Sequence, residues 1–353
     1  MSITRKRGSR NVMPIDDRPA PARGELSGQP TLDTASPAVP AHSPYLSKSK
    51  FLAGLQCSKL LWHAINARNL FPAPDESAQA LFDQGAEVGA LARTLFPTGV
   101  EIGPANIQMR LEGTRNALAL RVPIFEGAFL AQNAYAQIDI LEPAGDDEWD
   151  IIEVKSFTGV DDVHLADVAF QYFVLTSAGI NVRRCAVMVV NNRYVRHGAV
   201  DTMQLFTKLD VTDEVLARSP AVGTRLPEML RVAHLLASPA KQIGPHCDDP
   251  YTCALHDHCW NFLPHGNVTE LYRGKAKAFE FLQQGMTRLA EISDEDSLTD
   301  NQKVQRRIAL SGTPHVDCAA IAAFLDRLVY PLHFLDFETF ATAIPLVDNA
   351  RPY

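Results

Sequence analysis

The 353-residue chain contains no run approaching the ~18 uninterrupted apolar residues of a membrane span. Its first residues carry none of the apolar core of a secretory signal. Both absences point to the cytoplasm and away from a membrane. Cysteine is scarce, six in all, and in a reducing compartment so few thiols do not read as a disulfide framework; they are core fillers, metal ligands or catalytic groups. Positive charge is also not in excess. Lys and Arg number 33 against 41 Asp and Glu, a net charge of -8, which argues against a protein that coats nucleic acid nonspecifically. No internal repeat is visible.

Basic residues are instead gathered locally. One acid-free stretch runs from Tyr45 to Leu70 with Lys48, Lys50, Lys59 and Arg68, and another region holds Arg183, Arg184, Arg193 and Arg196. A hydrophobic content of 46% supplies a full core, and at roughly 150 residues per domain the length predicts about two domains. Residues 1–44 are rich in Pro, Ser, Gly and Ala without helical or strand period, and are expected to be a disordered tail.

From Tyr45 the pattern becomes periodic. "SKSKFLAGLQCSKLLWHAI" predicts one helix, capped by Ser47 or Ser49. "ALFDQGAEVGALARTLF" predicts a second, with Leu81, Val88, Leu91, Ala92 and Leu95 in one stripe and Glu87 at its border. "AYAQIDILE" alternates as a strand, Ala136, Ile138 and Ile140 on one face and Tyr135, Gln137 and Asp139 on the other. A strand over "WDIIEVK" follows, with Trp149, Ile151, Glu153 and Lys155 on a shared face. The helix "HLADVAFQYFVLTSAG" ends at Gly179 and carries His164, Asp167 and Gln171 along a polar flank. "CAVMVV" suits a strand buried on both faces, "MQLFTKLDV" another strand, and 212–238 a helix. This order of elements predicts an α/β fold with a mixed central sheet flanked by helices.

Two charges two residues apart in an interior strand require an explanation. If the two strands pair as neighbours, Asp139 lies opposite or diagonal to Glu153, roughly 5–8 Å away, and one divalent cation can bridge both carboxylates. Hard oxygen ligands suit Mg²⁺ or Mn²⁺. Lys155 projects beside Glu153, where an ammonium offsets charge developing on a phosphate or orients a water. Gln171 on the following helix reaches the same place, and Glu87 is a weaker candidate for the metal.

Cys57 in the first helix and the cluster "PHCDDPYTCALHDHCW", with Cys247, Cys253 and Cys259, give four thiolates able to hold a [4Fe-4S] cluster or a tetrahedral zinc. The nearby His246, His256 and His258 keep zinc open. Cys185 and Cys318 read as ordinary buried thiols.

"QGAEVGALA", "QIDILE", "IIEVKS" and "DVAFQYFVL" resemble, in order, the motifs of the RecB-like branch of the PD-(D/E)XK nucleases, over about residues 45–263. The resemblance implies a restriction-endonuclease-like core in which Asp139 and Glu153 bind the metal, Lys155 is the catalytic lysine and Gln171 the glutamine of the next helix. It implies hydrolysis of DNA phosphodiester bonds, at single strands or duplex ends, in repair or defence. The one-plus-three cysteines are similar to the iron–sulfur staple of these families, although five residues separate the first two clustered cysteines where two are commoner. The sequence departs further in offering Glu87 or Gly89 where many members carry a His, and Tyr172 directly beside Gln171. Those departures keep two other readings open: an inactive nucleic-acid-binding module, or an iron–sulfur redox or sensor protein.

The expected domains are a nuclease domain with its staple over 45–265, a helical linker over 266–330, and a terminal strand over 331–353. In that strand, "LHFLDFETF" places Asp336 and Glu338 on one face, as at the start of an RNase H-like exonuclease. The wording "YPLHFLDFETFATAIP" resembles a bacterial domain-of-unknown-function family whose members place this segment after a RecB-like domain. The expectation is a truncated region in which these two acids do not act.

Overall fold

A computed structural model describes residues 45–293, 296–339 and 341–353. The expected tail, 1–44, lies outside the described residues. The described residues divide into two compact units: 45–241 with 250–254 and 341–353, and 242–249 with the described part of 255–339. Residues 341–353 belong to the first unit.

The first unit is built on a mixed sheet. In chain order its elements are β1 (Leu46–Ser47), α1 (Lys48–Gln56), α2 (Ser58–Asn66), α3 (Glu76–Arg93), β2 (Val100–Glu101), α4 (Ile107–Leu118), β3 (Ile124–Ala131), β4 (Ala134–Ala144), β5 (Glu148–Val154), α5 (Asp162–Ser177), β6 (Asn181–Val190), α6 (Thr202–Leu205), β7 (Phe206–Asp210) and α7 (Thr212–Ala233). The strands run β2-β3-β4-β5-β6-β7, with β1 paired to β4 outside that path. β3, β4 and β5 pair antiparallel, β5 and β6 parallel, and β6 and β7 antiparallel. This is the mixed α/β sheet flanked by helices that the order of elements predicts.

Each face of the sheet has its own apolar layer. Ile138, Leu141, Trp149, Ile151, Cys185 and Val187 join Phe51, Phe170 and Leu226 in one; Phe125, Ile140, Ile152, Ala186, Met188 and Val88 form the other. β6 contributes to both, as "CAVMVV" predicts. At β4 the expected alternation fails, because Ile138 and Ile140 fall in opposite layers. At the same step of the ladder Glu126 of β3 adopts a left-handed backbone, φ 57°, a conformation unusual for a residue with a side chain.

The single helix predicted at the start is two. The backbone is extended at Cys57, φ -162° and ψ 127°, and the break sends α1 onto α5 and α2 onto α7. The stack of Phe51 on Phe170, ring centroids 4.8 Å apart, anchors the first contact. α5 starts with a capping box formed by Asp161 and His164 and is followed by Gly179 at φ 85°, the left-handed stop its sequence predicts.

The second unit contains α8 (His256–Trp260), α9 (Lys275–Gln283), α10 (Asp300–Ser311) and α11 (Cys318–Leu325), with a small core of Val268, Leu271, Phe281, Leu289, Ile292 and Leu298. α11 buries none of its residues, so Cys318 is exposed, contrary to the expected buried thiol. No strand forms over "LHFLDFETF" among its described residues, and Asp336 and Glu338 are exposed. A strand needs a neighbouring edge to satisfy its backbone, and this segment has none among the described residues.

Candidate active site

The polar site of the first unit lies where two strands part. β5 pairs with β4 from Ala144↔Glu148 to Ile140↔Ile152. The next step of that register sets Asp139 opposite Glu153, and there the ladder ends. Val154 N–H, left without a strand carbonyl, donates to Asp139 Oδ2 at 2.9 Å. Beyond the fork, β4 pairs instead with β1 through Leu46↔Ala134 and Ser47↔Tyr135. The chain then enters α1 at Lys48, the first residue past the pairing.

Glu153 is 1% exposed and fully engaged. Its Oε1 accepts from Lys155 Nζ at 2.7 Å and from Lys48 Nζ at 2.8 Å, while Oε2 accepts from Gln171 Nε2 at 2.7 Å. Asp167, also buried, closes the ring: Oδ2 accepts from Lys155 at 2.8 Å and Oδ1 from Gln171 at 2.8 Å. Lys48 lies 3.5 Å from Asp167 Oδ1. Two carboxylates, two ammoniums and one amide thus form a closed network, which is how buried charge is tolerated. Both Gln171 amide hydrogens are spent on carboxylates, and its buried Oε1 has no partner.

The electrostatics separate the two facing acids. Burial works to raise the Glu153 carboxyl, but Lys155 and Lys48 outweigh it and hold it well below the usual carboxylate range. Burial, then the charge on Glu153, push Asp139 up to about 7. Burial lowers both ammoniums, yet Asp167 and Glu153 more than compensate and keep Lys48 and Lys155 firmly protonated. Asp139 is therefore the acid left short of positive charge. Burial and neighbouring charge thus set the two facing carboxyls apart.

The structure brings together all four of Asp139, Glu153, Lys155 and Gln171. It leaves Glu87 on an exposed turn of α3; the third carboxylate felt by Asp139 is Glu126, whose own carboxyl is raised by burial and which pairs with Arg93 at 2.5 Å. In the β3 to β4 register, 125 faces 140 and 127 faces 138, so Glu126 falls opposite Asp139.

Three participants escape the sequence reading of the site. Lys48 reads as one of four basic residues in an acid-free stretch, Asp167 as part of a polar flank, and Glu126 goes unremarked although it interrupts the apolar run "PIFEGAFLA". His164, on the same flank, is buried, and burial with Lys155 lowers its imidazole, in keeping with Nδ1 accepting the Asp161 N–H.

The second basic region is partly spent on structure. Arg183 forms a two-pronged pair with buried Asp150 at 2.6 and 3.0 Å, and Arg196 donates to the carbonyls of Pro345 and Leu346. Arg184 and Arg193 remain exposed.

No disulfide joins any of the six cysteines. Cys185 is buried, and burial pushes its thiol up to about 12, an inert core group. Cys57 and Cys253 belong to the first unit, Cys247 and Cys259 to the second, so neither unit by itself carries three of the set. Among the described residues, no group of three or more His, Cys, Asp or Glu is gathered as a ligand set.

No family model matches the chain, and no curated protein matches it. Among solved structures, it is similar to the crystal structure of an alkaline exonuclease from Laribacter hongkongensis, at 11% identity, over 56% of this chain and 92% of that one, with a TM-score of 0.24. No helix among the described residues is long and apolar enough to cross a membrane.

Proposed function

We propose that the chain is a metal-dependent nuclease that hydrolyses DNA phosphodiester bonds, at single strands or duplex ends. The observation that carries this reading is the fork between β4 and β5, where Asp139 and Glu153 occupy facing positions with Lys155 bonded to Glu153 and Gln171 fixing its other oxygen.

The donor set fits a hard cation. Mg²⁺ is characteristically bound by one or two carboxylates, with waters and substrate phosphates completing its shell, and not by an all-protein cage. Asp139 and Glu153 supply two carboxylates, and the raised Asp139 is the group an added cation would relieve. When bound, Mg²⁺ or Mn²⁺ supplies Lewis-acid polarisation of the phosphoryl group. The rest falls to the chain. Lys155 holds a positive charge where negative charge develops on the phosphate. Gln171 and Asp167 keep Glu153 and Lys155 in place. Arg184 and Arg193, exposed, are available for sequence-independent contact with the backbone of the nucleic acid.

The iron–sulfur or zinc site is a separate part of the proposal, and no step of the reaction runs through it. The four cysteines remain its proposed ligands on their spacing alone.

Labelled single-stranded DNA incubated with Mn²⁺ tests the proposal. Wild-type protein is expected to cut, and Glu153→Ala and Lys155→Ala each to lose at least ~100-fold of that rate, the scale of one electrostatic group in the transition state. Equal cutting by all three proteins would assign the activity to a contaminant. DNA bound but not cut by wild type would favour an inactive binding module.

A further inference from the structure

We infer that Lys48 is a placeholder cation, an ammonium that competes with a divalent metal for Glu153 Oε1. The inference rests on the proposed metal site and extends it to a residue outside the motif that suggested that site.

The two lysines of the network are not equivalent. Both ammoniums bond the same oxygen, Glu153 Oε1, Lys155 at 2.7 Å and Lys48 at 2.8 Å. Lys155 has a second short anchor, Asp167 Oδ2 at 2.8 Å, whereas the second contact of Lys48 is long, 3.5 Å to Asp167 Oδ1. The Lys48 side chain is also the more exposed, 28% against 20%. Lys48 is thus held by one strong bond and Lys155 by two. Its position in the chain adds to this. It stands at the first residue of α1, immediately after the short β1 that pairs beside Ala134 and Tyr135, so it reaches Glu153 from α1 and not from the end of β5 that carries Lys155.

Charge bookkeeping shows why the ammonium is there. Glu153 and Asp167 are buried acids, and with Lys155 alone the network would be one positive charge short. Lys48 makes it neutral. A cation seated between Asp139 and Glu153 would provide that charge itself and would place two units of positive charge beside Lys48, so one of the three cations must withdraw. The loosely held one is Lys48. Lys48 and Lys155 together thereby neutralise Glu153 and Asp167.

Two measurements test this on the intact chain. In wild-type protein, the rate of acetylation of each lysine by an amine-reactive reagent is followed by mass spectrometry with and without Mn²⁺. Lys48 labelling is expected to rise several-fold with the metal while Lys155 labelling does not rise. In parallel, Mn²⁺ is titrated calorimetrically into wild type and Lys48→Met, and the variant is expected to bind about tenfold more tightly, the effect of removing one like charge at close range. The labelling arm uses wild type and holds even if the variant folds poorly. Equal Mn²⁺ affinity together with unchanged Lys48 labelling would overturn the placeholder role alone. No Mn²⁺ uptake by either protein would overturn it together with the proposed metal site.

Discussion

Asp167 and Lys155 form an ion pair at 2.8 Å inside the first unit, the acid on α5 and the amine one residue beyond the end of β5. The pair ties a helix to the end of the strand that carries Glu153. Asp167 accepts from Lys155 and from Gln171, so it acts through them. Replacing it by Asn removes the charge and keeps the shape. Losing such an orienting partner typically costs about 10–100-fold in activity, and that loss is expected in kcat for Asp167→Asn. Asp167 is also the largest influence raising the Lys155 ammonium. The alkaline limb of the pH–rate profile should therefore move to lower pH in the variant. A loss of rate with no movement of that limb would show that Asp167 merely supports packing.

Much of this site is legible in the sequence because strand alternation and neighbour pairing are local rules. They set Asp139 against Glu153 and Lys155 beside it. What they miss depends on tertiary closure. Lys48 is separated from Glu153 by 105 positions and reaches it only because β1 fills the edge that β5 abandons. Asp167 looks solvated because three polar residues on one helix face ordinarily are; here that face turns inward onto two buried charges. Glu126 is hidden by its left-handed backbone, which no periodicity reports. The helix break at Cys57 and the unformed strand around Asp336 fail for the same reason. Periodicity says which residues want a face, and not which neighbour is present to provide it.

The stack of Phe51 on Phe170 is the hinge pin of α1 on α5, with Phe170 fully buried and Phe51 2% exposed. Phe170→Ala leaves a cavity where its ring stacks on Phe51, and truncations of this kind cost about 3–5 kcal/mol. The midpoint of urea unfolding should fall accordingly, with the slope unchanged. A loss under ~1 kcal/mol would show that α1 does not rest on this contact in solution.

The cysteine set makes a spectroscopic prediction. If Cys57, Cys247, Cys253 and Cys259 bind an iron–sulfur cluster, protein purified without oxygen is brown, carries iron and sulfide in near-equal amounts, and loses both in Cys253→Ser. Zinc in place of iron, colourless and displaced by a chelator, would select the alternative ligand. Metal-free protein that is stable under the same handling would remove the proposal.

The raised Asp139 carboxyl makes stability depend on pH in a direction that can be worked out. Unfolded, its pKa is near the ordinary ~3.9; folded, it is pushed up to about 7. Between those values the native state holds a proton that the unfolded chain has released, so stability falls as pH rises through that window and stays at the lower level above it. Glu153 has the opposite sign. Its folded carboxyl is held well below the usual range, so the stability it contributes is present above ~4.3 and is lost on acidification below that. Without divalent metal the protein should therefore be more stable near pH 5 than at pH 8. A cation that takes up the Asp139 charge reverses the loss, and Mn²⁺ should raise Tm by a few degrees at pH 8 and by less at pH 5.5. Asp139→Asn removes the charge but keeps an oxygen for the Val154 N–H. In metal-free buffer at pH 8 it should exceed wild type in stability by on the order of 1 kcal/mol, while losing both the Mn²⁺ shift and DNA cleavage. A variant less stable than wild type at pH 8, or a larger Mn²⁺ shift at the acidic pH, would mean that Asp139 is not the undercompensated acid of the fork.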